Sequence, residues 1–570
     1  MAVPTPAPAA PTVLQLPRIA VQPSLPLVLA DLSRPGSHIA AEDAWVSAYN
    51  GTRSAHARIR VSEGDQPGSS CDLDPLDDLV PAADLALDPT HCAVRLAVPS
   101  LSIPPTTALL PSPRLNPVRP SSSSSTTNPT SLDEPAPALL ASSGPTSLDL
   151  VVLSPQADKL LLGGPDGHAR VVHLVGHDLA QKGPEVRLRG HVGDVCAAGW
   201  AASGEVVVTA ASDMTVRVFS ATDGSSPRVA AVPPQRPTAL IPLLSPLSSS
   251  TTATSPPAPA PAPVPHPQPH KGRHVLVSSL SGTLTLLDLS PAPPAPLHTW
   301  RLAAPVTACV VLLDVAEPED HPDDVGRRRY ALAAGADGCV RVVGLALEEA
   351  AAAAGGEAGT VILRAPASGS GARGHVTALD ALPCPGGEGG WTVALGTRDG
   401  TVAVYDVPRS AVLAAAAPAP AASAGPAAQD GDEHELAPRV AWRRTPPEPE
   451  PGAASSGAAI HALVLSRRER TCGALEEREG EGGERARSVL VAPGDGLAYR
   501  AGLGGDGDAR SGEGEQEQEQ EQGQRRAVVH VEEELVGLDC EPARSIVEDG
   551  HGRVWVVGGG AVRVYERRAL

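Results

Sequence analysis

Between residues 160 and 566 one pattern comes round seven times: an apolar run, a tight turn on Asp-Gly or an equivalent, then a second run alternating apolar and polar before an aromatic or aliphatic stop. The copies read LLLGGPDGHARVVHL (160–174), VVVTAASDMTVRVFS (206–220), VLVSSLSGTLTLLDL (275–289), YALAAGADGCVRVVGL (330–345), TVALGTRDGTVAVYDV (392–407), VLVAPGDGLAYRAGL (489–503) and VWVVGGGAVRVYE (554–566). Alternation such as Thr215-Val216-Arg217-Val218-Phe219 puts the valines on one buried face and Thr and Arg on the other, as a half-buried strand requires. The Asp-Gly or Gly-Gly between the runs supplies the positive φ of a tight hairpin.

Two copies carry a further signal. Gly190-His191 precedes Phe219-Ser220 with 27 residues between, and Gly374-His375 precedes Tyr405-Asp406 with 29 between. This resembles the WD repeat of β-propellers, a G-H dipeptide followed by an aromatic-Asp dipeptide. The resemblance implies a structural tetrad in which the His bonds the turn Asp and a strand hydroxyl while the aromatic closes the set. The fifth copy holds all four members, His375, Thr397, Asp399 and Tyr405. In the second, His191 and Asp213 match, but Ala211 stands where a hydroxyl is expected and Phe219 cannot donate. The expected fold is all-β, a seven-bladed β-propeller with a small N-terminal region and long disordered inserts.

Seven blades need roughly 300 residues at about 40 to 45 each, and the chain has 570. The surplus reads as a disordered tail (1–40), a small β-rich region (41–103), a Ser/Pro-rich linker (104–145) and a propeller (146–570) interrupted by inserts at 245–272, 315–328, 346–372, 408–456, 473–487 and 503–526. Such segments bury too little apolar surface to offset their ordering entropy. The 61 Pro and 56 Gly, with three Lys against 42 Arg, carry the stamp of a GC-rich genome and say little about fold. No apolar run reaches the roughly 18 residues of a membrane span, and the N-terminus lacks the pattern of a secretory signal. Eight scattered cysteines without a C-x-x-C pair read as reduced thiols, so the expected location is cytoplasmic and nuclear and the expected state a monomer without membrane contact.

Catalytic signatures are missing. No Gly-Lys dipeptide exists, which excludes a Walker A loop; His434-Glu435 lacks the second His of a zincin; His266 and His270 flank a proline run and read as solvated linker. His191 beside Asp213 and His375 beside Asp399 read as internal hydrogen bonds rather than catalytic bases. No catalytic residue, cofactor or metal is therefore expected. The net charge of −20 repels nucleic acid and would steer a basic protein surface through acidic clusters at 72–78, 317–324, 430–435, 476–484 and 532–534.

The segments Arg189-Gly190-His191-Val192-Gly193-Asp194-Val195, Trp200 to Val208 and Ser220-Ala221-Thr222-Asp223-Gly224 resemble the corresponding blade of the proteasomal ATPase-associated factor family, as does His274 to Leu284 for its next blade. The resemblance implies a non-enzymatic assembly chaperone or regulator that binds a basic ATPase domain in the base of the proteasome regulatory particle. Partner contacts carry over to Asp194, Asp213 and Asp223. The alternative is a generic WD-repeat scaffold, such as a ubiquitin-ligase substrate receptor or a ribosome-assembly factor.

Overall fold

The computed structural model describes residues 13–32, 40–51, 53–63, 71–77, 80–81, 85–88, 93–111, 148–175, 180–181, 185–232, 235–243, 274–291, 293–313, 329–345, 359–366, 374–384, 390–416, 436–444, 459–466, 488–504, 529–537, 542–558 and 561–566. Each of the seven sequence copies supplies the middle of one antiparallel sheet. Blade 1 is Leu150–Leu153, Lys159–Gly163 and Ala169–Val175, with Val186–Leu188 and Ala180–Gln181 both paired to the third strand. Blade 2 is Val195–Trp200, Val206–Ala211, Thr215–Ser220 and Arg228–Ala231; blade 3 is Pro237–Leu243, His274–Ser279, Thr283–Asp288 and Ala295–Arg301. Blade 4 is Val306–Leu313, Arg329–Gly335, Cys339–Gly344 and Thr360–Arg364. Blade 5 is Val376–Pro383, Gly390–Thr397, Thr401–Pro408 and Val440–Arg444, and blade 6 is Ile460–Ser466, Ser488–Pro493, Tyr499–Leu503 and Val529–Leu535. Blade 7 has three strands among the described residues, Ala543–Glu548, Val554–Gly558 and Ala561–Tyr565.

The first strand of each blade packs beside the first strand of the next, and that of blade 7 beside that of blade 1, so the sheets form a ring. Blades stack face to face, which buries the second strands on both sides and explains why they read as unbroken apolar runs: Val207, Val208, Ala210 and Ala211 are all buried. The ring closes through packing. Trp555, Val557, Val562 and Val564 of blade 7 share one core with Leu148, Val151, Leu160, Leu162 and Val172, and the Ser545 hydroxyl lies 3.4 Å from both the amide N and the carbonyl O of Val151. The hairpin turns place Gly167, Gly282, Gly338, Gly400 and Gly496 at φ of 74–83°, and in blade 2 Met214 takes the same left-handed conformation at φ 60°.

The N-terminal region departs from expectation. Residues 13–32, assigned to a patternless tail, hold two strands and a helix. Val13–Leu16 runs parallel to the outer strand of blade 5, with Val13 opposite Ala441. Arg18–Val21, Ala41–Asn50, Arg53–Glu63 and Cys71–Pro75 form an antiparallel sheet, on which Leu25, Val28 and Leu32 of the helix Leu25–Leu32 are buried. A further strand, Ile103–Leu109, crosses the boundary expected at 103 and pairs in parallel with Glu533–Leu535 of blade 6. Pro17 and Pro23 cut this stretch into runs too short to show a period, and the first run draws its backbone partners from a blade more than 400 residues away. The inserts also yield structure: 346–372 contains the outer strand of blade 4, and 408–456 contains the helix Arg409–Ala416 and the outer strand of blade 5. The inserts at 245–272, 315–328 and 473–487, the acidic clusters at 317–324, 430–435 and 476–484, and His266, His270 and His434-Glu435 lie outside the described residues.

Candidate functional site

In blade 2 the hairpin turn and the strand entering the blade bring His191 and Asp213 together, Nδ1 to Oδ2 at 3.0 Å. The hydroxyl is supplied by Thr209, whose Oγ1 lies 2.7 Å from His191 Nε2. The hydroxyl does not come from position 211, which is Ala: residues 209 and 211 share a face of the strand, and the His191 ring reaches one step deeper, to Thr209. The network assigns the tautomer, with Nδ1–H donating to Asp213 and Nε2 accepting from Thr209. Burial lowers the His191 pKa despite the neighbouring carboxylate. Burial also works against ionised Asp213, yet hydrogen bonds from Thr215, Val192 and His191 hold its carboxyl below the usual range. Phe219 is fully buried with its ring centroid 6.2 Å from that of His191.

Blade 5, whose sequence set is complete, assembles differently. Asp399 is bound by Arg443 from the outer strand and by Thr397, and Thr397 Oγ1 also accepts the Thr401 amide at 3.0 Å. His375 Nε2 is buried without a hydrogen-bond partner, and the Tyr405 hydroxyl donates to the Arg364 carbonyl at 2.6 Å. A guanidinium makes stronger, charge-assisted bonds to a carboxylate than a neutral imidazole does. The same replacement recurs: Asp337 pairs with Arg341 at 2.6 Å, Asp166 with Arg170 at 3.7 Å, and Asp495 with Arg18 at 2.8 Å. Two of these pairs share the spacing D-x-x-x-R; Asp213 has Arg217 at the same spacing and is held by His191 instead. Ser281 of blade 3 substitutes a hydroxyl cluster, 2.5 Å from Ser279 and 2.9 Å from Thr283.

Asp194, Asp213 and Asp223 do not make one patch. The Ser212 amide donates to the Asp194 carbonyl at 2.8 Å, which puts Asp194 at the turn end of the strand Val206–Ala211 beside Asp213. The Ala221 amide donates to the Glu205 carbonyl at 2.8 Å, which puts Asp223 past the other end. A strand of this length separates the two faces by about 20 Å. Asp223 is occupied in its own turn, accepting the Ser225 amide at 3.0 Å and hydroxyl at 2.8 Å. The acidic run 532–534 is not a surface feature either: Glu533 and Glu534 are 1% and 2% exposed and pair with Arg500 and Arg444.

The turn face presents apolar side chains beside the exposed Asp194 and Arg236. The His191–Asp213 pair locks the loop 190–194, and Asp213 Oδ2 also takes the Val192 amide at 3.1 Å. Val192 itself is 91% exposed. Met214, next to Asp213, and Leu280 of blade 3 are exposed as well. Arg236 links them: its carbonyl accepts the Leu280 amide at 3.1 Å, and its guanidinium lies 3.8 Å from Asp194 and 3.1 Å from Cys196 Sγ.

Between blades 5 and 6, Asp380 accepts the Leu465 amide at 2.8 Å, and burial pushes its carboxyl up to about 6 despite that bond. A raised carboxyl favours the folded state below the unfolded pKa of about 4, and that contribution is lost as pH rises through about 6. Asp380→Asn therefore stabilises the protein by about 1–2 kcal/mol at pH 7.5, with no difference at pH 4, as measured by urea unfolding at the two pH values. A wild-type stability that does not fall between pH 4 and 6 relative to the variant contradicts this.

No curated protein matches the chain. Among solved structures it is similar to the β-propeller domain of Myceliophteria thermophila Cps50 (Swd1), at 12% identity and TM-score 0.43, and to the WD40 repeats of RRP9, at 12% identity and TM-score 0.44; each comparison covers 75% of this chain and 97% of the other. Residues 183–220, the blade with the assembled His191–Asp213–Thr209 set, match the family described as WD domain, G-beta repeat, so the ring contains a WD40 repeat.

Proposed function

We propose that the protein is a non-enzymatic scaffold that docks a partner protein on the turn face of blades 2 and 3. The observation that carries this reading is Val192, 91% exposed on a loop held by the buried His191–Asp213 pair. Rigid loops presenting a bare apolar side chain bind without a large ordering cost, and apolar side chains gathered on one face mark interaction sites. The narrower identity of the partner, an ATPase subunit of the proteasome regulatory particle base, is supported by the resemblance of residues 189–224 and 274–284. On this geometry contact with such a subunit is apolar at its centre, with Asp194 and Arg236 at the rim supplying a smaller salt-sensitive part.

Affinity purification of the full chain from its own cells at low salt tests both levels. Wild type recovers base ATPase subunits, and Val192→Asp recovers at least tenfold less with an unchanged melting temperature. Recovery of cullin-type or pre-ribosomal partners instead rejects the narrower identity. Equal recovery by wild type and Val192→Asp rejects the docking site.

A further inference from the structure

Blades 1, 2 and 4 carry an arginine on the same rung of the hairpin, the second from the turn: Arg170 opposite Leu162, Arg217 opposite Thr209 and Arg341 opposite Ala333. In blades 1 and 4 carboxylates of the same blade close that guanidinium, Asp166 and Glu185 on Arg170 and Asp337 on Arg341. Blade 2 breaks the pattern. Asp213 is filled by His191, Thr215 and the Val192 amide, and Arg217 is left over. Among the described residues it is the one partly buried arginine that makes no hydrogen bond or ion pair. Its Nε is buried, so the donors open to a ligand are the two Nη groups. A guanidinium taken out of water without a counter-charge is costly, yet the fold makes room for this one at Gly190, where a Cβ would lie 2.6 Å from Arg217 Nη1 and 3.0 Å from Cζ. The group therefore sits against the backbone at the foot of the 190–194 loop. The residue before Gly190 is Arg189, exposed and likewise without an ion pair, so two uncompensated cations meet in a chain of net charge −20.

We propose that Arg217, with Arg189 beside it, binds a carboxylate side chain of the partner that docks on the 190–194 loop. The chain itself shows the ligand. Blades 1 and 4 close the planar fork of donors at this rung with Asp or Glu, the geometry that a guanidinium matches, and in blade 2 only that group is missing. The inference deepens the docking reading above and rests on it for the identity of the carrier. Val192 lies two residues beyond Gly190, so at most about 7 Å of chain separates their Cα atoms. The docked segment therefore carries an apolar residue within one or two positions of an Asp or Glu.

The test uses the full chain, with phenylglyoxal modification of each arginine followed by mass spectrometry. Millimolar hexaglutamate slows modification of Arg217 at least threefold relative to hexaglutamine at equal ionic strength, and leaves Arg58 and Arg95, which are exposed, unaffected. In affinity purification at low salt, Arg217→Gln recovers at least fivefold less partner than wild type with no fall in melting temperature, and Arg58→Gln recovers as much as wild type. No slowing at Arg217, or equal slowing at Arg58, overturns the carboxylate site. Slowing by inorganic phosphate but not by hexaglutamate assigns the two arginines to a phosphate group and overturns it as well. Unchanged recovery by Arg217→Gln overturns the assignment to the partner, and a lowered melting temperature in that case leaves Arg217 as a support for Gly190. The modification experiment needs no partner, so it can fail while Val192→Asp still loses recovery, and the reverse.

Discussion

Replacing Arg500 with Met lowers unfolding free energy by roughly 3–5 kcal/mol, the range for breaking a buried ion network. Arg500 is 6% exposed and ties two blades together. Its Nε lies 2.9 Å from Glu533 of blade 6, one Nη lies 2.8 Å from Glu548 at the end of the first strand of blade 7, and the other donates to Ser488 at 3.1 Å. Burial opposes its charge, yet the two carboxylates raise its pKa above the ordinary arginine value. Methionine fills most of the volume but leaves both carboxylates facing each other without a counter-charge, which costs more than the pair gained. Chemical unfolding at pH 7.5 measures the loss. Adding Glu533→Gln and Glu548→Gln to the variant recovers part of it, because neutral amides remove the repulsion. A loss below about 1 kcal/mol, or no recovery, contradicts a network in which charge compensation is the main term.

Trp555→Ala has a comparable effect, roughly 3–5 kcal/mol for a buried aromatic truncated in a packed core, but a different distribution. Trp555 is 2% exposed at the joint where blade 7 meets blade 1, and that joint is held by side-chain packing and the Ser545–Val151 contact. Removing the indole therefore weakens ring closure before it weakens the interior of any blade. Hydrogen exchange in the variant accelerates first in Leu150–Leu153 and Ala543–Glu548, while blades 3 and 4 keep their protection. Uniform acceleration across all blades contradicts a closure held by this packing.

The same contrast separates what was legible from what was not. The seven strand–turn–strand units could be read because each is local: alternation in Thr215–Ser220 and a left-handed turn residue are fixed within a few positions, whatever the rest of the chain does. Tetrad membership could not be read this way. The complete set His375, Thr397, Asp399 and Tyr405 does not assemble around its histidine, because Arg443, 44 residues beyond Asp399, takes the carboxylate. The set that looked deficient does assemble, through Thr209. Residue identity names the candidate partners of a carboxylate, but geometry decides which one reaches it, and a charged donor displaces a neutral one.

Acidic clusters behaved likewise. The run at 532–534 is visible in the sequence as charge; that Arg18, Arg444 and Arg500 converge on it and take it inside is a property of the ring. By itself the sequence determined the number and kind of repeating units, since each hairpin is specified by period and turn residues at short range. Only the tertiary structure decided where the N-terminal strands pair, which charges are buried, and that Val192 is left exposed. Those outcomes depend on groups hundreds of residues apart satisfying one another's hydrogen bonds, and no local pattern encodes them.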